Sequence, residues 1–259
     1  MHIIAVIPAR MASTRFPGKP LANICGLPML GHVFYRTKMS ELLNDVYFAT
    51  CDSEIADYAA SIGAKAIMTS DTHERASDRC AEALLKIEAE TGKTVDVLVM
   101  VQGDEPMLRP SMLDELIRPV LNNPGIAVTN LMARIDGPEE FNNSNVVKVV
   151  VDKEDHALYF SREPIPSKRK YNGELPMRKQ LGFILFRRSA LLDYTRMEPT
   201  PLEIIESVDM NRFLEHGYKI KMVETVFKTT GVDVPEDIAS VEGSLINDET
   251  MKRYLPVGS

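Results

Sequence analysis

Five consecutive apolar residues, Ile3, Ile4, Ala5, Val6 and Ile7, run without polar alternation into a loop that carries Arg10, Arg15 and Lys19. A strand of that pattern is buried on both faces, and such strands belong to mostly parallel sheets covered by helices. The loop then lies at a strand's carboxyl end, where open α/β sheets bind their ligands. Pro8, Pro17 and Pro20 stiffen it and Gly18 precedes Lys19, so the backbone suits charges held in fixed positions. Such a loop fits a polyphosphate; the competing reading is a solvated turn.

Strand-like runs and helical patterns keep alternating through the first half, as in successive βαβ units. Met29, Leu30, Val33, Phe34 and Thr37 recur at helical spacing. Residues 45–50 predict a second strand, and Ser53 caps a helix ending near Ile62. Residues 65–69 predict a third strand, 78–90 an amphipathic helix, and 96–101 a central buried strand. The second half changes period. Segments 127–135, 146–152 and 181–187 alternate, which predicts half-buried strands in an antiparallel or mixed extension. Residues 164–178, rich in Pro, Lys and Arg, predict a mobile linker. Residues 201–217 begin with Pro and end with Gly, predicting one helix with Ile204, Ile205, Val208, Phe213 and Leu214 on its core face. Residues 218–225 return as a strand. The expected fold class is α/β, a three-layer mostly parallel sheet with a small mixed β insertion. Without repeats or an interdomain linker, the chain reads as one domain over residues 1–259, with a β-rich insertion or dimerisation region at about 126–188 whose strand edges and apolar residues a two-fold interface could cover.

A chain of 259 residues with 44% hydrophobic composition can bury an ordinary core. Its apolar stretches are of strand length and its start lacks a charged-then-apolar leader, so neither a membrane span nor export is expected. Three cysteines, Cys25, Cys51 and Cys80, are too few and too scattered for a disulfide framework or zinc site, which points to the reducing cytoplasm. A net charge of −7 argues against a nucleic-acid partner held by a broad basic face. One concentrated basic loop remains compatible with local phosphate binding.

Two carboxylates suggest a metal. Asp104 follows the apolar run that ends at Val101, and Asp233 lies in the stretch TGVDVPED, residues 230–237. Each alone reads equally as a turn or cap residue. Together they fit magnesium, which takes one or two carboxylates plus phosphate oxygens and water. Glu105 and Asp237 read as helix-start or turn residues. No nucleophile and base pair stands out, and spacing assigns no partner to His32 or His73.

The stretches IPARMASTRFPGKPL, VQGDEP, NSNVVKVV, ALYFSREPIP, PLE and TGVDVPED occur in this order along nearly the whole chain. In that combination the sequence resembles the sugar-acid cytidylyltransferases, in particular the 3-deoxy-manno-octulosonate (KDO) branch. The resemblance implies a nucleotide-diphosphosugar transferase-like fold, usually dimeric. The implied activity couples CTP to the anomeric hydroxyl of an acidic keto sugar with magnesium, releasing pyrophosphate, as lipopolysaccharide biosynthesis requires. Mapped by motif, Arg10, Ser13 and Lys19 hold the triphosphate, Ala9 approaches the nucleotide, Gln102 lies near its ribose or base, and Asp104 and Asp233 take the metal. Lys148 and Arg162 fall near the sugar or its carboxylate, and Lys148 reads alternatively as a solvent-facing strand residue. Glu203 faces sugar hydroxyls or caps the helix that starts at Pro201.

Two stretches depart from the family pattern. Where KDO enzymes carry His-x-Ser-Gly-Thr-Glu/Asp-Arg, this chain has His73, Glu74, Arg75, Ala76, Ser77, Asp78 and Arg79. His73, Asp78 and Arg79 survive, and Arg79 is the expected base-side residue. Where the family shows His-Leu-Gly-Ile-Tyr-x-Tyr, Gln180, Ile184 and Phe186 replace the polar groups. Lost hydroxyl-reading donors change substrate choice, so the acceptor is expected to be a modified relative of KDO. The competing classes are a transferase for another nucleotide and a non-catalytic nucleotide-binding homologue.

Overall fold

The computed structural model describes residues 1–13 and 15–255; Thr14 of the basic loop and the last four residues of the C-terminal stretch lie outside the described residues. The chain forms two compact units, Met1–Asp114 with Thr229–Ser259, and Glu115–Lys228. The β-rich segment expected at about 126–188 lies inside the second unit, which begins earlier and ends later.

In the first unit β1 (Ile3–Pro8) is buried along its whole length, as its unbroken apolar run requires. A short hairpin of β2 (Asn23–Ile24) and β3 (Leu27–Pro28) leads into α1 (Met29–Lys38), then come β4 (Asp45–Thr50), α2 (Ser53–Ser61), β5 (Lys65–Met68), α3 (Ala76–Thr91) and β6 (Val97–Val101). β1 pairs in parallel with β4 and with β6, and β4 with β5, giving the order β6-β1-β4-β5. These are the strands and crossover helices that the alternating periods announced. α3 buries Cys80, Ala81, Ala83, Leu84 and Ile87 at helical spacing and stops at Gly92, whose φ of 67° only glycine adopts at no steric cost. Asp52, rather than Ser53, occupies the N-cap of α2.

α4 (Pro110–Asn122) carries the chain into the second unit. There β7 (Val128–Arg134), α5 (Gly137–Asn142), β8 (Lys148–Val151), β9 (Ala157–Ser161), β10 (Arg178–Arg187), α6 (Arg188–Tyr194), α7 (Pro201–Glu206), α8 (Asp209–Glu215) and β11 (Lys221–Thr225) follow. β7 pairs antiparallel with β10 and parallel with β11, while β8 pairs antiparallel with β9 and β10, so this sheet is mixed. The half-buried expectation fails here. All of β7 except Arg134 is buried. Its polar residues are satisfied internally: Thr129 Oγ1 donates to the Leu116 carbonyl at 2.9 Å, and Asn130 Nδ2 donates to the carbonyls of Leu181 and Phe183, both at 2.9 Å. Period-2 polarity therefore marks buried hydrogen bonds, not a wet face.

The single helix expected over residues 201–217 is two, broken at Ser207 with φ 52° and ψ 50°. Ile204 and Ile205 are 61% and 75% exposed, whereas Glu203, Glu206, Asn211 and Arg212 are buried. Polar chemistry decides the packing. Arg212 Nε and Nη2 grip both oxygens of Glu203 at 2.6 Å, and the Glu206 carboxylate accepts from Tyr159, Ser161 and the Arg162 backbone.

The chain returns to the first unit with α9 (Asp237–Leu245) and α10 (Glu249–Lys252). Val232, Val241, Leu245 and Met251 pack with Ile24 and Met29. Among the described residues no helix is long and apolar enough to cross a membrane.

Candidate active site

Three loops that leave the carboxyl ends of β1, β5 and β6 line one cleft of about 670 Å³ in the first unit. Ala9, Arg10, Ser13, Arg15 and Lys19 come from the first, His73, Arg75 and Arg79 from the second, and Gln102 and Asp104 from the third. Parallel pairing places these strand tips side by side.

The basic loop is held by its own bonds. Met11 N–H donates to Asp52 Oδ2 at 2.7 Å, Phe16 N–H to Ser13 Oγ at 3.3 Å, and Gly18, at φ 75°, to the Met11 carbonyl at 3.2 Å. Lys19 then opens a single 3-10 turn, Lys19–Leu21, with its ammonium pointing at two carboxylates. Its Nζ lies 2.8 Å from Asp104 Oδ2 and 3.8 Å from Asp233 Oδ1, and it donates to the Val232 carbonyl at 2.8 Å. Arg15 Nη2 sits 3.0 Å from the same Asp233 oxygen. A backbone bond from Val232 N–H to the Asp104 carbonyl, 2.9 Å, ties the two carboxylate segments together. Asp237 Oδ2 accepts the N–H of Asp233 and of Val234, the turn role its position suggested. Thus two aspartates 129 positions apart meet at one ammonium. Arg10 has no ion-pair or hydrogen-bond partner among the described residues, so its charge faces the cleft unneutralised.

On the α3 side, Arg79 is 3% exposed. Its Nη1 donates to Thr69 Oγ1 at 2.5 Å, and its Nη2 is sealed from solvent without a hydrogen-bond partner among the described residues. His73 Nε2 lies 2.5 Å from Glu82 Oε2, which also accepts the Ser70 N–H at 2.9 Å, while Lys86 meets Oε1 at 2.7 Å. Burial pushes the Glu82 carboxyl up, but Lys86, the Ser70 amide and His73 outweigh it and hold the group at about 2. Asp78 lies in the first turn of α3, outside the cleft lining. His32 is fully buried, shared between the Ile24 carbonyl and the Tyr254 hydroxyl, and burial lowers its pKa.

In the second unit the expected sugar-side residues divide. Lys148 is fully buried and donates to the carbonyls of Asn143, Val146 and Arg162, which corrects both expectations for it: an ammonium with all three protons committed neither faces solvent nor reaches a sugar. Ile184 is 4% exposed and Phe186 fully buried, so neither is placed to read sugar hydroxyls, and the case these positions made for an altered acceptor falls with them. Glu203 takes the capping alternative, in a capping box with Thr200. Gln180 Nε2 donates to Asn130 Oδ1 at 2.6 Å. Arg162 is the exception, for its Nε and Nη1 are pinned by the carbonyls of Glu206 and Ser144 while Nη2 has no hydrogen-bond partner among the described residues.

Sequence reasoning assigned no role to Asp52, Glu82 or Glu206. Each fixes a loop through backbone N–H groups, and a carboxylate just past a strand tip was the only available signal, for Asp52 alone.

A parallel α/β sheet with a cationic loop at its strand tips, and two aspartates gathered at one lysine of that loop, has the form of a nucleotide-binding enzyme of the nucleotidyltransferase class. A family model described as cytidylyltransferase matches residues 4–220. The 3-deoxy-manno-octulosonate cytidylyltransferase of Geobacter metallireducens is 45% identical over 251 residues, covering 93% of this chain and 96% of that one. The enzyme of the same description from Geobacter sulfurreducens is 44% identical, covering 93% and 98%. A solved structure, CMP:2-keto-3-deoxy-manno-octonic acid synthetase complexed with CTP, superposes with a TM-score of 0.88 at 34% identity, over 95% of this chain and 99% of that one. The chain belongs to the cytidylyltransferase family and is an enzyme of that kind.

Proposed function

We propose that the protein transfers the cytidylyl group of CTP to the anomeric hydroxyl of 3-deoxy-manno-octulosonate, or a closely related sugar acid, and releases pyrophosphate. The observation that carries this reading is the Lys19 ammonium shared by Asp104 and Asp233 beside the unneutralised Arg10. The names of the relatives support the nucleotide and the acceptor.

Asp104 and Asp233 fit magnesium. Both are partly exposed, with side chains 37% and 46% accessible, and both reach the same Lys19 ammonium. A site of two carboxylates leaves room for phosphate oxygens and water. When bound there, magnesium neutralises triphosphate charge. Lys19 and Arg10 hold the β and γ phosphates, and Ser13 keeps its hydroxyl proton available for a phosphate oxygen. The acceptor oxygen attacks the α-phosphorus in line: the new P–O bond forms as the bond to the β-phosphate oxygen breaks, and the hydroxyl proton passes to solvent. Negative charge accumulates on the leaving pyrophosphate, where Lys19 and Arg10 stabilise it. Arg79 and Gln102 are the residues assigned to the base and ribose, and Arg162 is the residue of its own unit with a guanidinium edge suited to a carboxylate.

The protein acts as a cytoplasmic homodimer in this reading. Its three cysteines are free thiols, and Leu202, Ile204 and Ile205 form an exposed apolar stretch on α7 that a second copy would cover. Incubation with CTP, magnesium and KDO should yield a CMP-sugar by mass spectrometry and stoichiometric pyrophosphate, with UTP and ATP giving little. Turnover only with amino or deoxy derivatives of KDO would shift the acceptor; no product with any sugar acid would overturn the proposal.

A further inference from the structure

We propose that Asp52 is a positioning residue for the reaction, whose carboxylate holds the neck of the basic loop so that Arg10 and Lys19 both reach the leaving pyrophosphate; this rests on the nucleotide reading of the cleft. Asp52 lies outside the cleft lining, at the N-cap of α2, where an aspartate ordinarily accepts an amide of its own helix. Here its side chain makes no such bond. Its Oδ2 instead accepts the Met11 N–H at 2.7 Å, across 41 positions of sequence. The helix forgoes a cap, and the loop gains an anchor.

Met11 is the point at which one bond fixes two cations. Its carbonyl accepts the Gly18 N–H at 3.2 Å, so these two residues meet at the neck, with Arg10 directly before Met11 and Lys19 directly after Gly18. Asp52 is itself fixed to the sheet. Its N–H donates at 3.1 Å to Oγ1 of Thr50, a fully buried residue that ends β4, and β4 pairs in parallel with β1. Beside it the Ala9 N–H donates to the Ala49 carbonyl at 3.0 Å. The contacts therefore run from a rigid strand, through one carboxylate, to the peptide that joins Arg10 to Met11. Lys19 has Asp104 and Asp233 to hold its ammonium, whereas Arg10 has no such partner among the described residues, so the backbone alone sets where its side chain starts. Groups that must meet a transition state lose rate steeply when displaced.

The test compares wild type, Asp52→Ser and Asp52→Asn by kcat, by isothermal titration of inorganic pyrophosphate and of CMP, and by thermal unfolding. Serine is a good N-cap but too short to reach Met11, so it should cap α2 and leave the melting temperature level or higher. In the same variant kcat should fall roughly 10–100-fold, with pyrophosphate binding weakened and CMP binding retained. Asparagine keeps an oxygen for the Met11 N–H and should lie nearer wild type than serine in both kcat and pyrophosphate affinity. A kcat loss below about tenfold in Asp52→Ser, pyrophosphate and CMP affinities falling together, or asparagine no better than serine would overturn the inference while the proposed function stands. A wild-type protein that does not use CTP would overturn both.

Discussion

Lys19 is placed where a lysine is hardest to replace. Its ammonium donates to Asp104 and to the Val232 carbonyl and neighbours Asp233, so it holds two distant segments in register before any substrate arrives. Lys19→Met keeps the stem and removes the charge, and turnover should fall roughly 10²–10³-fold, as for other groups that stabilise developing charge. Steady-state rates together with unchanged far-UV circular dichroism would check this; a loss below tenfold would place the charge elsewhere. Lys148 makes the opposite case. Burial lowers its pKa, and its three carbonyl partners make it a structural pin. Lys148→Met should lower the melting temperature by an amount equivalent to about 2–3 kcal/mol, through acceptors left unsatisfied, with the KM for sugar acid unchanged wherever the variant folds. A raised KM at unchanged stability would return Lys148 to the sugar site.

At the scale of elements, the break between α7 and α8 can be tested by sign. Ser207 adopts a left-handed conformation, so Ser207→Gly should stabilise by up to about 1 kcal/mol; in an unbroken helix the same change would destabilise. Sequence showed the start and end of this region through Pro201 and Gly217 but hid the break. The periodicity of Ile204, Ile205 and Val208 assumes that apolar residues define the buried face, whereas Glu203 with Arg212, and Glu206 with Tyr159 and Ser161, bury themselves as satisfied pairs. The same blindness misread β7, whose Asn130 is buried with carbonyl partners. The parallel strands of the first unit were legible because their signal is purely apolar, and the shared edge of Arg10, Lys19 and Asp104 was legible because they follow such strands, whereas Asp233 lies in the segment before α9 and meets Lys19 only through the fold. Asp52 and Glu82 were not, since they act on backbone amides of loops far away in sequence. Glu82 also gives α3 a pH signature. Its folded pKa of about 2 lies below the ordinary 4.5, so its contribution to stability is complete above about pH 4.5 and is lost as pH falls toward 2. The difference in melting temperature between wild type and Glu82→Gln should therefore shrink steadily on acidification; a pH-independent difference would contradict the pairing with His73 and Lys86.

For the molecule as a whole, the account rests on a single cleft in which an acidic chain, of net charge −7, gathers its cations around two aspartates. That local concentration lets an acidic protein bind a polyanion, as strand-tip geometry focuses charge that composition disperses. The exposed Ile204 and Ile205 give the assembly its own test: Ile205→Glu should convert a dimer to a monomer in sedimentation velocity, and a wild-type monomer would remove the homodimer from the proposal. The central claim is tested most directly by isothermal titration of CTP into wild type and into the Asp104→Asn, Asp233→Asn double variant, with and without magnesium. The account predicts one tight, magnesium-dependent site per chain in wild type and loss of the magnesium dependence in the double variant. Magnesium-dependent CTP binding that survives both substitutions would contradict it.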